Sequence, residues 1–321
     1  MRPRVTLMLA TVAVLVGVVT LAPAAVRLVT DDSGGTGAGA GAEPSPLSPP
    51  TLAAGPVSVD FQGDFFGWAL LDRSTGKIDG SNNMSETNSA ESVLKAWIVS
   101  DYLRQLGSKN PPTVLQTAAS LAIRDSNDEA ADEVYFAAGG SYRTQPDGKP
   151  DPVIQRAIKI CGLTDTRRSS VAGKAGWWSF TEMSPRDGVR LGDCIASGKA
   201  AGPKWTTWVL HEMSNVRGSV KDQQAQSGGG RWGIIDGLPA EIRSPGPVSI
   251  KNGWTLLAYD DNWHVNCLAV TNKWSLAVMM RYPASHGLEY GAQVCASVAT
   301  QLVTPQSGAA LQVPQSPAGK L

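Results

Sequence analysis

Residues 92–95 read Ser92-Val93-Leu94-Lys95, and they begin a strong helix pattern that runs to Leu106. A serine and a lysine three positions apart lie on adjacent turns of one helix face, so the amine can reach the hydroxyl. A second Ser-x-x-Lys, Ser74-Thr75-Gly76-Lys77, falls in a predicted hairpin turn. The tetrapeptide alone is weak evidence of a catalytic site. The predicted secondary structure around each copy has to decide which of the two is catalytic.

The helix pattern places Lys95 in an apolar environment. With about 100° per residue, Lys95 shares an apolar stripe with Val99, Tyr102 and Leu106. The face predicted to be solvated carries Ser100, Asp101, Arg104 and Gln105. Burial lowers the pKa of a lysine, as a lysine general base requires. At the helix start, Ser92 also offers an unpaired backbone N–H. The alternative is an N-cap serine with a lysine whose amine reaches solvent.

Two further short motifs follow in the chain. Ser126-Asn127-Asp128 joins a predicted helix end to a helix start, and Lys251-Asn252-Gly253 follows the strand-like Val248-Ser249-Ile250. Taken alone, the first motif could be a helix cap, and the second could be a lysine that protects an edge strand. The three motifs in this order are a far more specific signal of function than any one motif alone.

Together the three motifs resemble the S-x-x-K, S-D-N and K-T-G set of class A β-lactamases and penicillin-binding proteins. The resemblance covers roughly residues 65–303, and it implies an α+β fold of the β-lactamase/transpeptidase type. In that fold an antiparallel sheet is flanked by helices, with an inserted all-helical subdomain. The order of elements agrees, because strand patterns at both ends enclose a helical middle.

The resemblance also implies a role for each matching residue. Ser92 attacks a carbonyl and becomes acylated, and Lys95 takes its proton. Ser126 relays a proton to the leaving nitrogen, while Lys251 supplies positive charge. Backbone N–H groups of Ser92 and Trp254 form the oxyanion hole. The residues expected to bind substrate are Asp128, Asn252, Gly253 and Trp254.

The sequence departs from the family pattern in ways that affect turnover. Asp128 places a carboxylate where the family has an amide, which favours a charged Lys95. The stretch that matches the family's Ω-loop, 167–176, contains no Glu or Asp, and Glu182 follows too late in that loop. Ser92 and Ser126 also lie unusually close in sequence. Acylation without rapid β-lactam hydrolysis is therefore expected.

Three functions remain open at this point. The first is a β-lactamase-like hydrolase acting on β-lactams. The second is a D-alanyl peptidase or transferase acting on peptidoglycan stem peptides, and the third is a penicillin- or peptidoglycan-binding sensor without turnover. Neither GxSxG nor HExxH occurs, and the three histidines are interpreted as structural. A net charge of zero argues against nucleic acid as a partner, and a monomer is expected.

The chain organisation indicates export. Residues 1–30 contain two arginines and the uncharged run 5–22, which fits a signal peptide or a membrane anchor. Residues 31–56 have linker composition, 57–303 the folded domain, and 304–321 a flexible tail. The protein is thus predicted to lie outside the cytoplasm, secreted or anchored to the outer face of the plasma membrane.

The four cysteines favour disulfides over a metal site. No CxxC or Cys/His cluster occurs, so no metal and no cofactor is predicted. An even count in an oxidising compartment predicts Cys161–Cys194 and Cys267–Cys295, the sequence neighbours. Crossed pairs and four free thiols are the alternatives.

Overall fold

The structure is a computed structural model, and it describes residues 50–143, 148, 151–225, 228–244 and 246–304. The predicted signal or anchor, most of the linker and nearly all of the tail lie outside these residues. Within them, the strands are β1 (Thr51–Leu52), β2 (Phe65–Asp72), β3 (Ile78–Gly80), β4 (Asn88–Ser89), β5 (Glu182–Met183), β6 (Ser249–Ile250), β7 (Gly253–Leu257), β8 (Asn262–Val270), β9 (Trp274–Pro283) and β10 (Val303–Thr304). The helices are α1 (Leu94–Leu106), α2 (Thr113–Arg124), α3 (Asp128–Ala137), α4 (Pro152–Cys161), α5 (Pro185–Ala196), α6 (Thr206–Ser214), α7 (Val220–Ala225), α8 (Ala240–Arg243) and α9 (Gly287–Gln301).

An antiparallel sheet forms the centre of the domain, with strand order β3-β2-β9-β8. The strands β6 and β7 share the next position, because each pairs with a different part of β8. Lys251 and Asn252 lie between these two short strands. The predicted α+β fold with an antiparallel sheet is confirmed.

Both faces of the sheet are buried, and alternate residues of each strand serve different sides. On β2, Ala69 and Leu71 pack in the core that contains helices α1–α6, whereas Trp68 and Leu70 pack in the core that contains α9. This double burial explains why β2 and β9 are mostly apolar along their length.

Helix α1 lies in the middle of the helical region and contacts α2, α3, α4, α5 and α6. Every residue from Leu94 to Leu103 is buried. The prediction that Ser100 and Asp101 face solvent is therefore wrong, since both have no exposed surface. Asp101 accepts hydrogen bonds from Arg156, the shortest at 2.5 Å, and from Arg104. These paired charges allow a carboxylate inside the core.

Helix boundaries follow local capping chemistry. Helix α5 has the predicted bounds, with Ser184 accepting a hydrogen bond from the Asp187 N–H at 3.1 Å. Helix α3 is capped by Asn127, which accepts from the Ala130 N–H at 2.8 Å. Neither Ser126 nor Asp128 is thus needed as the N-cap. Strand β7 was not predicted, because Gly253–Leu257 is short and lacks a clear alternating pattern.

The predicted disulfides are confirmed: Cys161 is bonded to Cys194 and Cys267 to Cys295. The first joins α4 to α5, and the second joins β8 to α9. Disulfides of this kind are typical of proteins outside the cytoplasm. In the described part of the chain, no helix has the length and apolar character needed to span a bilayer.

The first and last strands of the described chain pair with each other. Thr51 lies opposite Thr304 and Leu52 opposite Val303, and the Ala53 N–H donates to the Leu302 carbonyl at 2.9 Å. Strand β1 falls within the range 31–56 whose composition predicts a linker, and Thr304 of β10 is the first residue of the predicted tail.

Candidate active site

Ser92 lies in a single 3-10 turn, Glu91–Val93, that leads into α1. Glu91 has a left-handed backbone conformation with φ of 50°, which is uncommon for a residue with a side chain. Strand β7 packs directly against this turn at Gly253. A Cβ on Gly253 would lie 2.7 Å from the Ser92 backbone nitrogen, so only glycine fits without displacement.

A cleft of about 600 Å³ opens above this turn. Ser92, Ser126 and Asp128 lie on its wall, together with Trp254 from β7. Aromatic side chains complete the lining, namely Tyr142, Trp177, Trp178 and Phe180. The structure therefore brings residues of the first two motifs, and Trp254 directly after the third, to one cavity. Among the described residues, none forms a hydrogen bond with the Ser92 hydroxyl, so the predicted contact between this hydroxyl and the Lys95 amine is not formed.

Lys95 lies at the bottom of the cleft with no exposed surface. Its amine donates to the Ser126 carbonyl and to Asp128 Oδ1 at 2.5 Å, and lies 3.4 Å from Ser126 Oγ. Burial lowers the pKa of Lys95, while the negative charge of Asp128 opposes that shift. The side chain of Asp128 is 82% exposed, so water screens this opposing charge and burial decides the direction.

Lys251 also contacts Ser126. Its fully buried amine donates to Ser126 Oγ at 2.8 Å and to the Asn252 carbonyl at 3.0 Å. Burial, and secondly the charge of Lys95, lower the pKa of Lys251 well below its ordinary value. Because Ser126 Oγ accepts from lysine amines, its own proton is free to be donated into the cleft.

The side chains of Asn252 and Trp254, both expected to bind substrate, have different surroundings. Asn252 is 1% exposed and is absent from the described cleft lining, because its side-chain amide donates to the carbonyls of Gly230 and Trp232, both at 2.8 Å. Asn252 thus holds the 230–232 loop in place. Trp254 does line the cleft, and its ring packs edge-on against Trp232 with centroids 5.5 Å apart.

The second Ser-x-x-Lys has a structural setting, as predicted. Ser74 lies in the turn between β2 and β3 and donates to Asp72 at 2.7 Å. Lys77 is exposed and lies 3.5 Å from Asp79. A separate cavity of about 880 Å³ borders this turn, but Ser74 and Lys77 are bound to those carboxylates rather than to each other.

Solved structures with the same arrangement of elements include PBP-A, which is 14% identical over 73% of this chain and 87% of its own, with a TM-score of 0.51. A class A β-lactamase from Mycobacterium abscessus is also 14% identical, over 75% of this chain and 92% of its own, with a TM-score of 0.52. The chain has the β-lactamase fold. A mutant of PBP-A described as an acyl-enzyme complex with penicillin G matches at 13% identity, over 73% of this chain and 87% of its own, and a TM-score of 0.51. No family of known proteins and no curated protein matches the sequence itself.

On this fold, the segment before β5 places an indole beside Lys95. The ring of Trp178 lies 5.7 Å from the Lys95 amine, and its N–H donates to Asp132 at 3.0 Å. Glu182 lies outside the described cleft lining, paired with Arg167 at 2.6 Å. Hydrogen bonds from Ser170 and the charge of Arg167 lower the pKa of Glu182 despite partial burial.

Each carboxylate among the described lining residues of the cleft already has a partner. Asp125 accepts from Arg217 at 2.7 Å, and Asp132 accepts from Tyr142 and Trp178. Asp128 pairs with Lys95. The remaining one is Glu91, whose partners are Ser89 and Thr255. Each of these carboxylates is thus held by protein groups through at least one of its oxygens, and only Asp128 is largely exposed.

Sequence analysis missed Glu91 and Trp178 as parts of the site. The sequence carried no clear signal for Glu91, because the preceding stretch 85–90 is mostly polar and contains a second glutamate, Glu86. The tandem Trp177-Trp178, in contrast, stands out in a loop otherwise rich in small residues. Its position beside Lys95 depends on tertiary packing, which the sequence does not show.

Proposed function

We propose that the protein is an extracytoplasmic serine acyl-enzyme that opens β-lactam rings at Ser92 and releases the product slowly. The observation that carries this proposal is the convergence of two buried lysines, Lys95 and Lys251, on the hydroxyl of Ser126 in the cleft that contains Ser92. Burial of both amines favours their neutral forms, and a neutral amine is the form that can accept a proton.

The reaction proceeds with three proton transfers. Ser92 Oγ attacks the lactam carbonyl carbon, and its proton passes to the neutral amine of Lys95. The ring C–N bond then breaks, and the nitrogen takes the proton of Ser126, which recovers one from Lys95 across their 3.4 Å contact. Ser92 is left as an ester and Lys95 is neutral again. Backbone N–H groups of Ser92 and Trp254 stabilise the oxyanion.

The substrate is held along β7 and the start of α3. Gly253 and Trp254 offer backbone and indole surface, and exposed Asp128 can accept from an amide N–H of the substrate. Asn252 acts indirectly, by fixing the loop that packs against Trp254. Lys251 supplies positive charge for a substrate carboxylate.

Hydrolysis of the ester is the slow step in this proposal. Water must be deprotonated to attack an acyl-enzyme, yet the described carboxylates of the cleft are all engaged by protein groups. Trp178 fills the space beside Lys95 with an apolar ring. The acyl-enzyme is therefore expected to persist after the β-lactam ring opens.

A D-alanyl peptidase or transferase is the second candidate, acting on peptidoglycan stem peptides through the same acylation step. The engaged carboxylates favour it over rapid β-lactam hydrolysis, because transfer to an amine does not require activation of water by a carboxylate. A sensor that only acylates would share this geometry. The disulfides support a location outside the cytoplasm, while anchoring through residues 5–22 and a monomeric state remain part of the proposal.

Intact-mass spectrometry of the protein after incubation with a penicillin tests the proposal. We expect a lasting mass increase of one penicillin in the wild type and none in Ser92→Ala. The matched control is Ser74→Ala, which removes the serine of the second Ser-x-x-Lys and should acylate like the wild type. An adduct that survives Ser92→Ala, or no adduct and no loss of penicillin, would contradict the assignment.

A further inference from the structure

A continuous chain of polar side chains lies next to the nucleophile turn, and its middle members Ser89, Glu91 and His264 are buried. His264 Nε2 lies 2.9 Å from Asp260 Oδ2, and its Nδ1 lies 2.8 Å from Ser89 Oγ. Ser89 Oγ lies 2.6 Å from Glu91 Oε1, and Glu91 Oε2 lies 2.8 Å from Thr255 Oγ1. The chain thus connects β8 through the nucleophile turn to β7.

These four contacts require four protons, one for each hydrogen bond. A neutral His264 supplies one, and the hydroxyls of Ser89 and Thr255 supply one each. The fourth proton must lie either on Glu91 or as a second proton on His264. The Thr255 hydroxyl also lies 2.6 Å from the Trp254 carbonyl, which adds an acceptor and increases the need for that proton.

Burial favours the proton on Glu91. Glu91 is 3% exposed and His264 is 2% exposed, so an ion pair between them would be desolvated at both ends. Burial raises the pKa of Glu91 to about 7 and lowers the pKa of His264. With neutral His264 donating to Asp260, Ser89 donates to His264 and the Glu91 acid donates to Ser89.

Other charges face this chain from each side. Asp128 raises and Lys95 lowers the pKa of Glu91, both less than burial does. The charges of Glu91 and Glu182 also act on nearby Tyr259, whose pKa they raise less than burial does. For His264, Asp260 supports and Arg281, its neighbour on β9, opposes the protonated form.

Glu91 is covalently next to Ser92 and hydrogen-bonded to β7, the two sources of the oxyanion-hole N–H groups. We propose that Glu91 is a positioning residue for acylation, which acts as a neutral acid and links the Ser92 turn to β8 through the proton it shares with Ser89 and His264, while Thr255 links the turn to β7. This inference rests on the proposed acylation of Ser92. The proton serves twice, because it completes the hydrogen-bond chain and removes a negative charge beside the oxyanion.

Loss of this proton has two consequences. Ser89 then has one proton for two acceptors, so either its contact with His264 or that with Glu91 becomes repulsive. The ionised Glu91 also disfavours a developing negative charge at the neighbouring oxyanion hole. The fraction of protein with protonated Glu91, and with it the acylation rate constant, is therefore expected to fall as pH rises through about 7.

The test compares Glu91→Gln with the wild type over pH 6–9, with a fluorescent penicillin as the probe. Glutamine keeps all four contacts, because its NH₂ donates to Ser89 and its oxygen accepts from Thr255. The ratio of the variant's acylation rate constant to that of the wild type should be near one at pH 6 and on the order of tenfold at pH 8. A ratio cancels the pH dependence of Lys95 that both proteins share, and the charge of ionised Glu91, which raises the pKa of Lys95 in the wild type alone, adds to the ratio at high pH. Glu241→Gln, an exposed carboxylate elsewhere, should keep the ratio at one throughout.

Nuclear magnetic resonance of the imidazole nitrogens tests the proton position without changing Glu91. In a His211→Gln/His286→Gln background, His264 is the one remaining imidazole. We expect the neutral Nε2–H form at pH 6.5, whereas an imidazolium at that pH would overturn the assignment. No adduct in the wild type at any pH would overturn the proposed function. Adduct formation with a pH-independent variant-to-wild-type ratio would overturn only the role of Glu91.

Discussion

Gly253→Ala tests the packing of β7 against the nucleophile turn. The added methyl would lie 2.7 Å from the Ser92 nitrogen and 2.9 Å from both the Val93 nitrogen and Glu91 Cβ. Ordinary contacts of this kind lie at about 3.5–4.0 Å, so β7 and the turn must separate by somewhat less than about 1 Å. Two of the three neighbours are backbone atoms, which cannot move aside as the end of a flexible side chain can.

The expected cost has two parts. Overpacking in a buried position should lower the free energy of unfolding by roughly 1–3 kcal/mol. For a domain of this size that corresponds to a fall in Tm of roughly 2–12 °C. Separation of the Ser92 and Trp254 N–H groups should weaken both oxyanion donors, with a loss of about 10²-fold in acylation rate.

Differential scanning fluorimetry and the rate of labelling by a fluorescent penicillin measure the two parts. Gly246→Ala is the matched control, since its added methyl would meet nothing within 4 Å. It should change neither quantity. If Gly253→Ala kept the wild-type Tm and labelling rate, the close approach of β7 to the nucleophile turn would be refuted.

Two predictions concern stability. Arg156→Ala removes the bidentate partner of buried Asp101 and should lower the free energy of unfolding, measured in urea, by roughly 2–4 kcal/mol. Lys77→Ala removes an exposed ion pair and should change it by less than about 0.5 kcal/mol. Equal effects of the two substitutions would contradict the importance of the buried network. Glu91 has a folded pKa of about 7 against an ordinary 4.5, so its contribution is complete below pH 4.5 and is lost as pH rises to about 7. The loss should approach about 3 kcal/mol between pH 4.5 and 7.5 in the wild type and be absent in Glu91→Gln, and parallel urea-derived stability curves for the two proteins would refute the burial of an acid at this position.

Much of the fold could be predicted from local sequence signals. Helix α5 was predicted with its correct bounds because Ser184 and Pro185 specify its start independently of distant residues. Sequence proximity also predicted both disulfides. Burial of Asp101 could not be predicted, since it depends on Arg156, which lies 55 positions away.

The site shows the same division between local and distant signals. The motifs at 92–95, 126–128 and 251–253 were visible in the sequence, and the structure places Ser92, Ser126 and Asp128 in one cleft with Lys95 and Lys251 bonded to Ser126. The direction of the Asn252 side chain was not visible, because its partners at 230 and 232 belong to a distant loop. The proposed proton on Glu91 could not be inferred from the sequence either, because it rests on the distances that connect Glu91 through Ser89 to His264 in the tertiary structure.

The pairing of β1 with β10 has a mechanical consequence. The chain enters the domain at Thr51 and leaves it at Thr304, directly across an antiparallel ladder. A force that pulls residues 51 and 304 apart would break the hydrogen bonds of this short ladder one after another. The strands β1 and β10 would therefore separate before the central sheet and the geometry around Ser92 changed.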